Sequence, residues 1–492
     1  MDLLRALQLL LIPIIYLMFA TVSFGQYKAG DVWIEPYVFE NSSHQKVEAE
    51  FGRLYVPENR NNPRSRLIEL AFIRFKSTSP NPGAPIIYLA GGPGNSGISS
   101  AKGSRFPLFM AMREFGDVIA LDQRGVGLSK PNLECHETLE DFPLDQVPTR
   151  DLFIRLTREK AHQCAEYWRN QGTDLSGYNT NESADDLEAL RKALDATKIN
   201  LWAISYGTHL ALTTIRRHEG SIDHAILAGV EGPDHTLKLP SKVQQALVDI
   251  DRLVHADSGL SRGIPDFLGL MKGVLDRLER EPVIVEVPVS NAKQKVVVSK
   301  FVMQYLTAST IGTGDTMAFP MLYYRASRGD FYLIAGYWLD ELRSGIGSAM
   351  SFMMDCSSGA SPKRRQRIER EARTTLLGNA ADLVYPDVCN VWGNPDLGSS
   401  FRKPIRSNIP VLFISGTLDG RTPISNAEEV RKGFSHSTHL IIEGAWHGDP
   451  LFLSSPKIRD VMLEFLRGAP ISNTRIKLAP LQFVSLGPHQ GN

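Results

Sequence analysis

The chain has 492 residues, long for one domain and short for three. Apolar residues make up 42% and charged residues 22%, an ordinary globular balance that can bury a large core. The 54 Lys and Arg match the 54 Asp and Glu, so there is no basic surplus to neutralise phosphates, and nucleic-acid binding is excluded as a main function.

Met1–Arg5 carries one basic residue, Leu7–Ala20 is almost wholly apolar, and Ser23-Phe24-Gly25 puts small residues where a signal peptidase cuts. Residues 1–25 are therefore expected to be a secretory signal, cleaved before Gln26, with no stable membrane association afterwards. The rival reading is an uncleaved membrane anchor, but the apolar run is short for a bilayer and contains Pro13. The four cysteines form no Cys-x-x-Cys or Cys/His cluster at metal-ligand spacing, so no metal is expected. An even count behind a signal peptide favours two disulfides, most simply Cys135–Cys164 and Cys356–Cys389.

After the leader, Val32–Phe39 and Val47–Val56 read as an N-terminal hairpin, and Leu67–Phe75 continues the pattern. Short apolar runs bounded by turn residues follow at Ile86–Ala90, Val118–Asp122, Leu201–Ser205, Ala225–Gly229, Val411–Ser415 and His439–Glu443. Such runs, separated by helical stretches, indicate an α/β fold with a mostly parallel central sheet and helices on both faces. Ser183–Ala196 is predicted to be one connecting helix, capped by Ser183, with Asp185 and Asp186 in its first turn and Leu187, Leu190 and Leu194 on one face. Between Gly229 and Pro410 the strand rhythm stops, and helical patterns appear at Val243–Val254, Ile264–Glu279 and Lys363–Leu377. The expected organisation is a core in two parts, 26–233 and 401–470, with a mostly helical cap at 234–400 inserted before the acid-bearing strand. A tail at 471–492 shows no periodic pattern.

Leu201-Trp202-Ala203-Ile204-Ser205-Tyr206-Gly207-Thr208 runs from a strand through a small-x-Ser-x-Gly turn into a helix from Thr208 to Arg217. A sharp strand-to-helix turn of this kind holds a serine exposed and strained as a nucleophile. Serine needs an activating base, and on this architecture the chain order is nucleophile, acid, histidine. Asp419 lies in the loop Gly416–Pro423 after one strand, and His447 lies in Gly444-Ala445-Trp446-His447-Gly448 after the next. Both loops belong to the carboxyl edge, where ligands bind in open α/β sheets. His447 is expected to take the proton from Ser205 while Asp419 orients the imidazole and stabilises its cation. Asp449 is the rival acid, but it stands too close to His447 in sequence to orient it across the loop. The oxyanion donors are expected to be the N–H of Gly92, with Gly91 as a substitute, and the N–H of Tyr206.

Together these segments resemble the prolyl-aminopeptidase family of α/β-hydrolase serine peptidases, and more closely its tripeptidyl-aminopeptidase-like branch. Ala90–Gly94 matches the GGPG loop, Asp122–Ser129 the DQRGxGxS stretch, Ser205-Tyr206-Gly207 the SYG nucleophile, and Gly416–Pro423 the acid loop ending in Thr-Pro. Cys389 followed by Trp392 looks like that branch's Cys-x-x-Trp, whose partner the resemblance makes Cys356. The resemblance runs roughly from Val32 to Gly468 and thins in the cap. Ala90 stands where many members have His, and Ala203 where many have Gly, which weakens an inference to N-terminal proline in particular. The resemblance implies the α/β-hydrolase fold, no metal or organic cofactor, a peptide or small acyl substrate, and an exopeptidase that recognises a free amino terminus through acidic groups near the cap. Glu231, in Val230-Glu231-Gly232-Pro233, is the candidate amine anchor; the blander alternatives are a solvated loop glutamate or a partner for Arg124. The competing functions are a serine carboxylesterase on the same scaffold and a hydrolase-fold binding protein without catalysis.

Overall fold

The computed structural model describes residues 27–289, 292–471 and 473–487, so the expected signal segment lies outside the described residues. Among the described residues twelve strands follow one another. They are β1 (Val32–Glu40), β2 (Lys46–Pro57), β3 (Leu67–Phe75), β4 (Ile86–Leu89), β5 (Val118–Leu121), β6 (Ile199–Ser205), β7 (Ile222–Val230), β8 (Val283–Val289), β9 (Ala292–Val298), β10 (Val411–Gly416), β11 (Ser437–Glu443) and β12 (Arg475–Lys477). Ten of them form one sheet in the order β1-β2-β3-β5-β4-β6-β7-β10-β11-β12. The β1–β2–β3 meander and the β3–β5 pair are antiparallel, and every pair from β5 to β12 is parallel.

The central strands are apolar without alternation because both faces are covered. The period of two then sorts their side chains between two cores. Ile87, Leu89 and Ala203 pack with the helices Thr180–Ala193 and Tyr206–His218 on one face. Ile86, Tyr88, Trp202 and Ile204 pack with the helices Phe106–Met112 and Pro456–Leu466 on the other. The carboxyl ends of β4, β6, β7, β10 and β11 consequently share one edge, with a covered face on either side of it.

One local expectation is corrected and two are refined. The helix predicted at Ser183–Ala196 spans Thr180–Ala193, and Asn179 caps it by accepting the N–H of Glu182 at 3.2 Å. Asn is as good a cap as Ser and lies one turn earlier. Asp185 and Asp186 are not first-turn acids: Asp185 pairs with Arg217 and His218, and Asp186 with Arg60 and Arg124. The stretch between β7 and β10 is not helical throughout. Helices from Pro240–Ala256 to Tyr332–Arg343 share an apolar cluster with Val287, Val296 and Val298 of an antiparallel β8–β9 hairpin. The alternation Val-Ile-Val-Glu-Val-Pro-Val in β8 is a strand signal that the flanking helical periodicity hides. The tail, finally, is joined to the fold, because β12 adds to β11 and the Val484 N–H reaches Met317 O at 3.1 Å.

Both expected disulfides are formed, Cys135–Cys164 and Cys356–Cys389. Among the described residues no helix is long and apolar enough to cross a membrane.

Candidate active site

Ser205 ends β6 with φ 55° and ψ −131°, outside the regions a side-chain-bearing residue prefers. Such a conformation costs about 1–3 kcal/mol and persists only where the surroundings hold it. Here β6 runs straight into the helix Tyr206–His218, with no loop to relax the turn. Gly207 makes the turn possible, since a Cβ there would lie 2.1 Å from Leu89 O. Ala203, at the position where a glycine is common, is wholly buried in the apolar cluster that holds Leu89 and Leu227, so its methyl is accommodated.

Tyr206 is the first residue of its helix, and the N–H of a first helical residue has no partner inside the helix. It is thereby free to face a ligand. Across from it the loop Ala90–Gly94 follows β4, and Gly92 takes φ 111°, which favours glycine. The loop is braced from behind: Gln123 donates its side-chain N–H to Ala90 O at 3.1 Å, and the Asn95 N–H reaches Gly91 O at 3.2 Å. Gln123 belongs to the stretch Asp122–Ser129, whose role here is architectural. The Asp122 carboxylate accepts from Ser96 Oγ (2.5 Å), Leu128 N–H (2.8 Å) and Ile98 N–H (3.0 Å).

Asp419, in the loop after β10, is buried and fully engaged. One carboxylate oxygen accepts the N–H groups of Thr422 (2.7 Å) and Arg421 (2.9 Å). The other accepts Thr422 Oγ1 (2.7 Å) and His447 Nδ1 (2.8 Å). A carboxylate only accepts, so Nδ1 carries the proton and Nε2 keeps a free lone pair. The His447 N–H bonds Gly312 O at 2.7 Å, which ties the histidine loop to the segment inserted between β7 and β10. Ser205, His447, Gly91 and Gly92 line one cavity of about 510 Å³. Asp449 does not compete for the histidine: it pairs with Arg105 Nε at 2.8 Å and with Ser104 Oγ.

Glu231 follows β7 and is 6% exposed, so it is not a solvated loop residue. Its N–H bonds Thr208 Oγ1 at 2.8 Å, while its Oε1 has no protein partner. Nor is it the partner of Arg124, whose ion pairs go to Asp186 and Glu182. Two acids that the sequence did not single out stand with Glu231. Asp355 lies on the helix Ala349–Ser358, and Asp382 on the short turn Ala380–Asp382. Asp382 accepts the Lys238 N–H at 2.9 Å through one oxygen, and its other oxygen has no protein partner. Burial pushes the Glu231 carboxyl up to about 6, against the opposing charges of Lys238, Arg364 and His447. Burial and then the charge of Glu231 push Asp355 well above the usual carboxylate range, and burial raises Asp382. No local motif marks Asp355 or Asp382; only the tertiary fold brings them to Glu231.

The fold is that of the α/β-hydrolase class. The family model described as alpha/beta hydrolase fold matches residues 84–452, well over half of the chain, and the protein belongs to that family. Among curated relatives, the protein is similar to "Serine protease Hip1" of Mycobacterium tuberculosis (strain ATCC 25618 / H37Rv), 29% identical over 188 residues, 37% of this chain and 36% of that one. It is similar also to "Tripeptidyl aminopeptidase" of Streptomyces lividans, 33% identical over 174 residues, 32% of this chain and 31% of that one. The chain thus spans about a third of the length of the curated relatives it matches. Among solved structures, the proline iminopeptidase of Mycobacterium smegmatis aligns with 85% of this chain and 98% of its own, at 15% identity and a TM-score of 0.38.

Proposed function

We propose that the protein is an exported exopeptidase that releases residues or short peptides from free amino termini through an acyl-enzyme on Ser205. His447 Nε2 takes the hydroxyl proton as Oγ attacks the scissile carbonyl carbon. The resulting oxyanion accepts hydrogen bonds from the N–H groups of Gly92 and Tyr206. As the C–N bond breaks, the imidazolium returns its proton to the departing amine. Water then repeats the sequence against the ester, and Ser205 recovers its proton. Asp419, with its four donors, holds the imidazole in one tautomer and stabilises its cation throughout.

The observation that carries the amino-terminal specificity is the cluster of Glu231, Asp355 and Asp382. Buried carboxyl oxygens without protein partners are costly, and a substrate ammonium supplies both the charge and the donors they lack. The tripeptidyl aminopeptidase relative supports the same reading. Two disulfides support an oxidising, exported location.

The test compares wild type with Ser205→Ala on peptidyl amides with free amino ends, the same amides N-blocked, and short aryl esters. Cleavage of the free-ended amides alone, lost in the variant, is the expected result. Turnover of esters alone would leave the serine chemistry standing and remove the peptidase claim. Equal inertness of both proteins on all three would favour a binding role.

A further inference from the structure

Glu231 and Asp355 lie toward one face of the sheet and the 510 Å³ cavity opens toward the other, with Ser205 in the cavity's lining. Glu231 and Asp355 sit beside the helices Tyr206–His218 and Ala349–Ser358, on the face that buries Ile87 and Leu89. The cavity is walled by Tyr88, Ile204, Arg105 and Asp449, on the face that buries Trp202 and Phe452. A tetrahedral carbon on Ser205 Oγ must send its acyl chain and its leaving amine in different directions. If the amino terminus is held at the acid cluster, the leaving group occupies the cavity. This step rests on the proposed aminopeptidase reading.

The charges in that cavity are unequal. Arg105 and Arg421 bring two guanidinium groups to it against the single exposed carboxylate of Asp449. Asp449 is already spent: one oxygen takes Arg105 Nε at 2.8 Å and the other takes Ser104 Oγ. Arg105 is held in place, with one terminal nitrogen on Tyr88 OH and its Nε on Asp449. Among the described residues no hydrogen bond holds its second terminal nitrogen, and the guanidinium, fixed at its other edge, is preorganised to donate. Arg421 is tied to the backbone oxygens of Ala308 and Ser309 at 3.2 Å each, with no carboxylate within ion-pair distance among the described residues. We infer that this cavity is a leaving-group subsite that selects short peptides ending in a carboxylate, with Arg105 as the binding group.

The test uses one free-ended amino-terminal sequence with three leaving groups: a dipeptide acid, the same dipeptide as its C-terminal amide, and a neutral anilide. Wild type is expected to favour the acid over the amide by about tenfold in kcat/KM, the size of one charge-assisted hydrogen bond. Arg105→Met is expected to bring that ratio to about one. Asp449→Asn frees Arg105 of its competitor and is expected to raise the ratio above wild type, an opposite sign that general loosening of the site does not produce. A ratio near one in wild type, or one that Asp449→Asn lowers, overturns the subsite. Anilide turnover restricted to free amino ends keeps the aminopeptidase reading standing in that event, while equal cleavage of N-blocked anilide removes that reading itself.

Discussion

Two regions of this molecule bury charge, and they treat it in opposite ways. In the Asp122–Ser129 stretch the charged groups are all answered. Arg124, fully buried, gives Nε and one Nη to Asp186 at 2.7 Å and the other Nη to the backbone oxygens of Glu58 (2.7 Å) and Gly177 (2.5 Å). In the cluster of Glu231, Asp355 and Asp382, two of the three carboxyls keep an oxygen that no protein donor reaches. The first pattern is what a scaffold needs: a satisfied network fixes one geometry of the core. The second is what a site needs, because the missing partner can be a ligand. The most distinctive motif in the sequence thus belongs to the scaffold around Ser205 and the Ala90–Gly94 loop, and the specificity proposed above rests on residues with no motif at all.

Removing a partner from the satisfied region has the largest expected effect. Arg124→Met strands Asp186 on Arg60 alone and leaves the Glu58 and Gly177 oxygens without their donor. A broken buried pair costs about 3–5 kcal/mol, to be read as a fall in the urea midpoint. The ratio of free-ended to N-blocked cleavage is expected to stay as in wild type in whatever fraction folds. An unchanged midpoint would mean that the network is not what holds this edge of the core.

His209 lies beside the open cluster and offers the next effect. Its Nδ1 donates to Gly232 O at 3.1 Å, beside Glu231, and its Nε2 accepts from Ser358 Oγ at 3.0 Å. Burial lowers its pKa from 6.5 to about 4. The unfolded chain therefore binds a proton that the folded chain refuses between those values, and stability present above pH 6.5 is lost as pH falls toward 4. The shift corresponds to about 3 kcal/mol. His209→Gln is expected to flatten the acid limb of Tm against pH by a comparable amount relative to wild type. Parallel limbs in the two proteins would show that His209 protonates freely in the native state.

Substitution within the open cluster is expected to act on selectivity instead. Glu231→Gln keeps the volume and removes the charge. Loss of a buried ion pair with the substrate ammonium is expected to lower kcat/KM for free-ended amides by about a hundredfold, with N-blocked esters changed far less. Equal losses on both substrates would make Glu231 a support of the Ser205 loop and not an anchor.

The contrast also explains what could be read from the amino acids. Every run assigned to a strand of the main sheet is in one, and the central ones stand out because short apolar runs covered on both faces leave an unmistakable composition. Ser205, Asp419 and His447 were legible as positions because each sits where a strand stops and its loop is tightly constrained. The β8–β9 hairpin escaped because seven alternating residues lie between two helices, and β12 because three residues carry no periodicity. The helix cap at Asn179 was overlooked in favour of a serine that also fits the rule. Asp355 and Asp382 could not be found at all: their meaning comes from burial beside Glu231, more than a hundred residues away in sequence, and burial is a property of the fold.

The smallest expected effect separates the anchor from the base by pH. In the proposed mechanism a free-ended substrate needs both the Glu231 carboxylate and the His447 base, so a profile on one substrate does not isolate the anchor. N-blocked aryl esters depend on His447 and not on the anchor, and their ratio to free-ended substrates cancels the histidine. The substrate ammonium stays charged below its own pKa of about 8. With Glu231 raised to about 6, its carboxylate is present above that value and is neutralised as pH falls below it. The free-to-blocked ratio is therefore expected to fall about tenfold between pH 7 and pH 5, since a pair at full charge contributes little once one partner is neutral. In Glu231→Gln the ratio is expected to be flat over the same interval. A ratio that falls equally in both proteins would move the titrating carboxyl to Asp355 or Asp382, and a flat wild-type ratio would mean that the ammonium is held by something other than these acids.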